Sequence, residues 1–258
     1  MLKCPICNQI LNKSEHNYHC QNNHQYDIAK SGYVNLLIKN KKQQGDNKLL
    51  TQARDNFLKS DNYLPLKNYI KETAEQLQPN FVVDCGCNQG YYTQALYNNN
   101  QVYAFDLSIN AIKIAAKKDK NITYFCANIF DIPIIDNTID LVTNIFIPLS
   151  IDETLRILKK EGYFIVVTPA KNHLIQMKEL LYPQVYLNEE KEINHPNLKL
   201  INKHVLTYNR TLNNSDLNNL FKMTPYYYKT SYENKDKLLN IPNLEITFSF
   251  CIQLYQKM

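Results

Sequence analysis

Four soft ligands stand at the start of the chain in the spacing Cys4-x2-Cys7-x12-Cys20-x3-His24, a donor set that one tetrahedral zinc ion can gather. A segment this short buries too little apolar surface to fold unaided, whereas structural zinc contributes about 10–16 kcal/mol of coupled binding and folding energy. His16 and His19 are spare donors. His19 adjoins Cys20 in a predicted strand and points to the opposite face, so His24 is the better fourth ligand. The remaining cysteines, Cys85, Cys87, Cys126 and Cys251, lie on or beside predicted strands, as buried thiols of a reducing compartment do.

A second constellation sits at a turn. The run Val83-Asp84-Cys85-Gly86-Cys87-Asn88-Gln89-Gly90-Tyr91 places an acid before a tight strand-to-helix turn, where glycines let the backbone approach a ligand closely. About 20 residues further on, Ala104-Phe105-Asp106 ends a second apolar run with an acid suited to the two ribose hydroxyls of an adenosine cofactor. The turn lacks the G-x-G-x-x-G spacing that aims a helix dipole at a pyrophosphate, which argues against a dinucleotide. Asn88 lies inside this turn, and Asn is the residue that best replaces Gly at positive φ.

The elements that must hold these residues follow from periodicity. At 258 residues, 44% apolar, the chain has room for one α/β domain beside the zinc module. Net charge is +5, and no apolar run reaches about 18 residues, so the expectation is a cytoplasmic protein without a membrane partner. Residues 1–36 form the zinc module, 37–50 a basic linker and 51–258 the α/β domain, opened by two helices within 51–78. Apolar runs then predict strands at Phe81–Cys85, Gln101–Asp106, Ile122–Cys126, Ile139–Ile145 and Tyr163–Thr168. Helices are predicted at 91–98, 109–118, 152–159 and 171–182, with Ser108 as one N-cap and Ser150 with Glu153 as a capping box. From Leu244 to Tyr255 apolar and polar residues alternate strictly, which predicts a long strand joining the sheet antiparallel near one edge.

A parallel α/β sheet closed by an antiparallel strand resembles the Rossmann-like fold of class I S-adenosylmethionine (SAM) methyltransferases. Asp84, Gly86 and Gly90 resemble their motif I, with Asn88 at its central glycine. The resemblance implies a seven-stranded mixed sheet, the last strand antiparallel, and places Asn128 or Asp131 against the adenine. The zinc spacing, His24 to Lys30, Gly32 to Leu37, Gly90-Tyr91-Tyr92-Thr93, Gln52-Ala53-Arg54, Tyr63-Leu64-Pro65-Leu66, Thr168-Pro169, His173-Leu174 and Met223-Thr224-Pro225 are similar to the bacterial 23S rRNA guanine-N1 methyltransferases. That family's activity implies methylation of guanine N1 in a hairpin loop of domain II, with SAM as donor and the zinc module recognising RNA. A sister activity at a neighbouring guanine, linked to macrolide resistance, is the alternative; another is a non-catalytic RNA-binding protein with a degenerate SAM site. The resemblance further implies that Cys4, Cys7, Cys20 and His24 bind zinc, and that Tyr63, Asn88, Gln89 and His173 line the SAM pocket.

Within that frame, Asn144-Ile145-Phe146-Ile147-Pro148 lies where such enzymes hold the target base. Asn144 can bond the base edge, while Phe146 either stacks on the base or fills the core. His173 is a candidate base by titration range or a structural histidine beside the cofactor. Lys30, Lys39, Lys41, Lys42 and Arg54 form a basic segment that either tracks RNA phosphates or serves as a solvated linker. Tyr226, Tyr227 and Tyr228 offer RNA stacking faces or core packing. A homodimer is compatible with this organisation.

Overall fold

The computed structural model describes residues 1–38 and 48–258. Three short strands, β1 (Asn12–Lys13), β2 (Asn17–His19) and β3 (Gln25–Asp27), pair antiparallel into a small N-terminal sheet, and β4 (Val34–Asn35) follows. Helices α1 (Lys48–Lys59) and α2 (Leu64–Leu77) come next, with Pro65 in the first turn of the second. The alternating part comprises β5 (Phe81–Cys85), α3 (Thr93–Leu96), β6 (Gln101–Asp106), α4 (Ile109–Lys118) and β7 (Thr123–Cys126). It continues through β8 (Ile139–Ile145), α5 (Ile151–Ile157), β9 (Leu158–Pro169) and α6 (Ile175–Leu181). The chain then forms β10 (Leu198–Asn213), α7 (Asn214–Lys222), α8 (Tyr226–Lys229), α9 (Tyr232–Leu239) and β11 (Asn243–Lys257).

The main sheet has the order β10-β11-β9-β8-β5-β6-β7-β4. From β5 the chain steps outward to β6 and β7, then reverses to β8 and β9, all parallel; the reversal opens a crevice at the strands' carboxyl ends. Strand β11 runs antiparallel between β9 and β10, so it lies one strand in from the edge. The edge itself is β10, largely solvent-exposed, with Leu198, Leu200, Leu206, Tyr208 and Leu212 as its more buried residues at alternate positions.

The expected seven strands are thus joined by an eighth, β4, contributed by the N-terminal module. It pairs parallel to β7, and Leu36 N donates to Cys126 O at 3.0 Å. Lys3 N donates to Pro133 O, also at 3.0 Å. Leu2, Cys4, Leu11 and Tyr18 share one buried cluster with Phe105, Phe125 and Val83, so module and sheet have a common core. On the other side of the sheet, Phe57 of α1 and Leu66 and Ile70 of α2 pack in the same cluster as Phe248 and Phe250 of β11.

Ser108 caps α4 as expected, accepting from Ala111 N. The capping box at α5 does not form. Ser150 makes no side-chain cap; Glu153 instead pairs with Arg156 at 2.7 Å and accepts the amide of Ile132 at 2.6 Å, stronger charge-assisted contacts than the Ncap amide offers. Strand β9 begins directly after α5, with a bulge where Glu161 takes φ +64°. Among the described residues no helix is long and apolar enough to cross a membrane.

Candidate metal centre and cofactor cavity

Two tight turns bring the N-terminal ligands together. Asn8 and Asn23, both at φ +60°, let the chain fold back after Cys7 and Cys20, the former donating to Cys4 O and the latter to Cys20 O. Ligand atoms of Cys4, Cys7, Cys20 and His24 all lie within 4.8 Å of one another. The Cys7 and Cys20 sulfurs are 3.6 Å apart, and His24 Nδ1 is 3.5 Å from Cys4 Sγ and 3.4 Å from Cys20 Sγ. These are the edges of a tetrahedron around an ion with Zn–S near 2.3 Å and Zn–N near 2.0 Å, so the donor set fits zinc. Tyr26 Oη, 3.1 Å from Cys4 Sγ, is placed to donate to the thiolate, a support typical of structural sites. His19 turns away toward Ser14 Oγ.

A cavity of about 570 Å³ opens at the crevice between β5 and β8, of a size suited to a small-molecule ligand. Its floor is the turn after β5. Gly86 and Gly90 have φ +65° and +78°; a Cβ on Gly86 would come within 2.7 Å of Ile147, so only glycine fits. Asn88 takes φ +48°, the left-handed conformation expected of it, and its amide donates to Asp106 Oδ2 at 3.1 Å. Asp106 Oδ1 accepts Ser108 N at 2.7 Å, which fixes the carboxylate at the tip of β6 on the cavity wall.

Asp84 plays a different part. Its two oxygens accept the hydroxyls of Thr93 at 2.6 Å and Thr143 at 2.7 Å, tying β5 to α3 and β8. Burial pushes its carboxyl up to about 6. The acid braces the turn from behind while bordering the cavity.

Three buried polar atoms on this wall have no partner among the described residues: Gln89 Oε1, Tyr91 Oη and Tyr92 Oη. Gln89 spends its amide donor on Thr51 O. Buried polar groups are rarely left unsatisfied, and a polar ligand here accounts for all three. With Asp106 suited to a ribose and these atoms suited to an amino-acid tail, the residues present fit SAM.

Tyr63 is buried in an aromatic wall, 5.2 Å from the ring centroids of Phe57 and Phe248 and 5.1 Å from that of Phe250. Phe146 follows β8 at φ +60°, a conformation that costs a bulky residue on the order of 1–3 kcal/mol, and its ring is 38% exposed at the cavity. Phe146 N donates to Val167 O at 3.0 Å, and Asn144 Nδ2 donates to Pro148 O at 2.9 Å, so the loop is locked in that shape. Asn144 itself is buried and stands outside the cavity lining.

His173 lines the cavity, and its Nδ1 accepts the amide of Ser249 at 3.2 Å. Burial, aided by the charge of Lys178, pushes it down to about 3, so the ring is neutral with its proton on Nε2. It can donate into the cavity, but it holds no free lone pair with which to act as a base. Asn128 and Asp131 do not line the cavity: they bridge each other, and Asn128 Oδ1 accepts Phe130 N at 3.1 Å. The local turn claims the side chain that the adenine was expected to meet.

Of the basic segment, Lys30 is exposed on the N-terminal module, and Lys39, Lys41 and Lys42 lie outside the described residues. Arg54 lies on the cavity wall rather than on the outer surface. Tyr226 lines the cavity, while Tyr228 is 68% exposed. Sequence reasoning missed Asn188, which enters the lining from the coil after α6; it bonds Ala170 O at 2.8 Å and the buried Lys178 amine at 2.9 Å. Nothing in that Asn-rich coil distinguishes the residue.

Comparison with known proteins matches residues 2–44 to a zinc-ribbon family described as RlmA, N-terminal, and residues 83–166 to a methyltransferase domain. The 23S rRNA (guanine(748)-N(1))-methyltransferase of Streptomyces fradiae is 31% identical over 70% of this chain and 67% of its own length. The chain belongs to the 23S rRNA guanine-N1 methyltransferase family. The YxjB protein of Bacillus subtilis is 28% identical over 70% of this chain and 69% of its own. A malonyl-[acyl-carrier protein] O-methyltransferase of Hamiltonella defensa is 32% identical, but over only 48% of this chain and 50% of its own. The family's two centres are therefore both built here, a zinc ribbon with its four ligands and a class I methyltransferase domain with its SAM cavity.

Proposed function

We propose that this protein transfers a methyl group from SAM to N1 of a guanine in large-subunit ribosomal RNA. The observation that carries this reading is the cavity at the glycine turn, with its unsatisfied polar atoms, in a chain that also builds the zinc ribbon of its family. The name of the Streptomyces fradiae relative supplies the substrate class.

SAM, when bound, supplies an electrophilic methyl group on a sulfonium. Tyr63, Gly86, Asn88, Gln89 and Asp106 hold the cofactor; Asp84 braces the turn, and Gly90, outside the cavity lining, lets it pack against Tyr124. Phe146 offers its half-exposed ring to a guanine splayed out of its loop, and Asn144 acts through the loop that carries that ring. Guanine N1 is protonated at neutral pH and must lose that proton before its lone pair can attack. Neither buried candidate accepts it, because His173 Nδ1 is bonded to the Ser249 amide and both oxygens of Asp84 accept hydroxyls. The proton leaves to water at the open side of the cavity, and the rate comes from alignment of the base with the methyl group.

We place the guanine in a hairpin loop of domain II and take position 748, for which the relative is named, as the first to map. An N1 methyl blocks Watson–Crick pairing, so reverse transcription of a treated RNA fragment stops beside the modified base. A SAM-dependent stop at a single guanine is expected; absence of any stop, with SAM demonstrably bound, refutes the activity. Lys30, Lys39, Lys41 and Lys42 contact RNA phosphates on this reading. Neutralising them flattens the salt dependence of RNA binding, and an unchanged slope removes that role.

A further inference from the structure

The cavity presents two acids and, among the described residues, one permanently charged base. Asp84 and Asp106 lie beside the glycine turn, where a second carboxylate would be repelled. Arg54 enters the lining from α1. Arg54 shares that lining with the aromatic residues Tyr63, Tyr91 and Tyr92. On the same wall stand the unpartnered hydroxyls of Tyr91 and Tyr92 and the unpartnered acceptor Gln89 Oε1. His173, the other basic residue there, is neutral.

A SAM molecule has a ribose at one end and an α-amino acid at the other. If Asp106 takes the ribose, the methionine carboxylate requires a cation and neutral donors, and its ammonium requires an acceptor. We propose that Arg54 clamps the methionine carboxylate of SAM, with Tyr91 and Tyr92 donating beside it and Gln89 Oε1 receiving the ammonium. The proposal rests on the reading that this cavity holds SAM. It moves Arg54 from the RNA surface to the cofactor, and it gives each orphaned polar atom a partner of the correct kind.

The test compares SAM with decarboxylated SAM, which keeps the adenosine, sulfonium and amine but lacks the carboxylate. Both are titrated calorimetrically into zinc-loaded wild type, Arg54→Gln and Arg54→Lys. Arg54→Gln is expected to weaken SAM about 10- to 100-fold, equivalent to about 1.4–2.8 kcal/mol, while decarboxylated SAM changes less than about twofold. Arg54→Lys is expected to recover part of the loss, since lysine keeps the charge without the fork. Equal weakening of both ligands would make Arg54 a shaper of the cavity and overturn the clamp. Unchanged SAM affinity with weakened RNA binding would return it to RNA. If wild type bound neither ligand, the SAM reading itself would fall and the clamp with it.

Discussion

Replacing Asp84 by Asn, at the heart of the glycine turn, is expected to stabilise the protein at pH 7.5 and to destabilise it at pH 4. The carboxyl is 2% exposed, and burial raises it from an ordinary 3.8 to about 6. An acid raised in the folded state binds more protons folded than unfolded, so its stabilising contribution is full below pH 3.8 and is lost as pH climbs through 6. About two pH units at 1.36 kcal/mol each put the cost of the buried charge near 3 kcal/mol above that window. Asn removes the charge but keeps one acceptor for Thr93 or Thr143, at a loss of about 1 kcal/mol for the altered hydroxyl contact. The expected balance is a gain of about 2 kcal/mol at pH 7.5 and a loss of about 1 kcal/mol at pH 4. Urea unfolding of both proteins at several pH values gives the difference directly, and acid release of zinc, common to both, cancels in it. A variant less stable by the same amount at every pH would mean that the two hydroxyls keep Asp84 ionised, and the argument from burial would be wrong.

The shared core of ribbon and sheet predicts that Cys20→Ala, or zinc removal by a chelator, lowers the thermal transition of the entire chain; a methyltransferase transition left in place while the first residues melt separately would disprove the coupling. Asp106→Ala should raise the Kd for SAM by one or two orders of magnitude, on the order of 1.5–3 kcal/mol for hydrogen bonds to a charged group, and calorimetry showing an unaltered Kd would remove Asp106 from the ribose. His173→Gln should lower the methylation rate without changing the shape of its pH profile, because the histidine is neutral throughout the working range. Loss of an ionisation between pH 6 and 7 in the variant would restore His173 as the base.

Sequence was most legible where function is set by local spacing. The zinc ligands follow from two short loops, each closed by an Asn that tolerates a left-handed backbone, and the acids Asp84 and Asp106 follow from the ends of strands buried on both faces. It was least legible where another group competes for the side chain that a motif would use. Ser150 and Glu153 have the pattern of a capping box, yet Arg156 and the Ile132 amide take the glutamate first. Asn128 has the right address for an adenine contact, yet the turn to Phe130 consumes its acceptor.

Arg54 illustrates the same limit from the opposite side. Read along the chain it is one of a run of basic residues, and a charge run reports nothing about which way each residue faces. Its direction is decided by α1, whose residues Leu50, Phe57 and Leu58 are buried, while Asp55 is drawn off to Lys59 and Lys118. That helix brings Arg54 to the cavity wall together with Tyr63, Tyr91 and Tyr92, where the proposed clamp has it meet the cofactor's carboxylate. The helix that looked like a lead-in to the catalytic domain therefore lines its cavity, and on the proposed clamp a truncation that removed it would leave the glycine turn but deprive the cofactor's tail of its counter-charge.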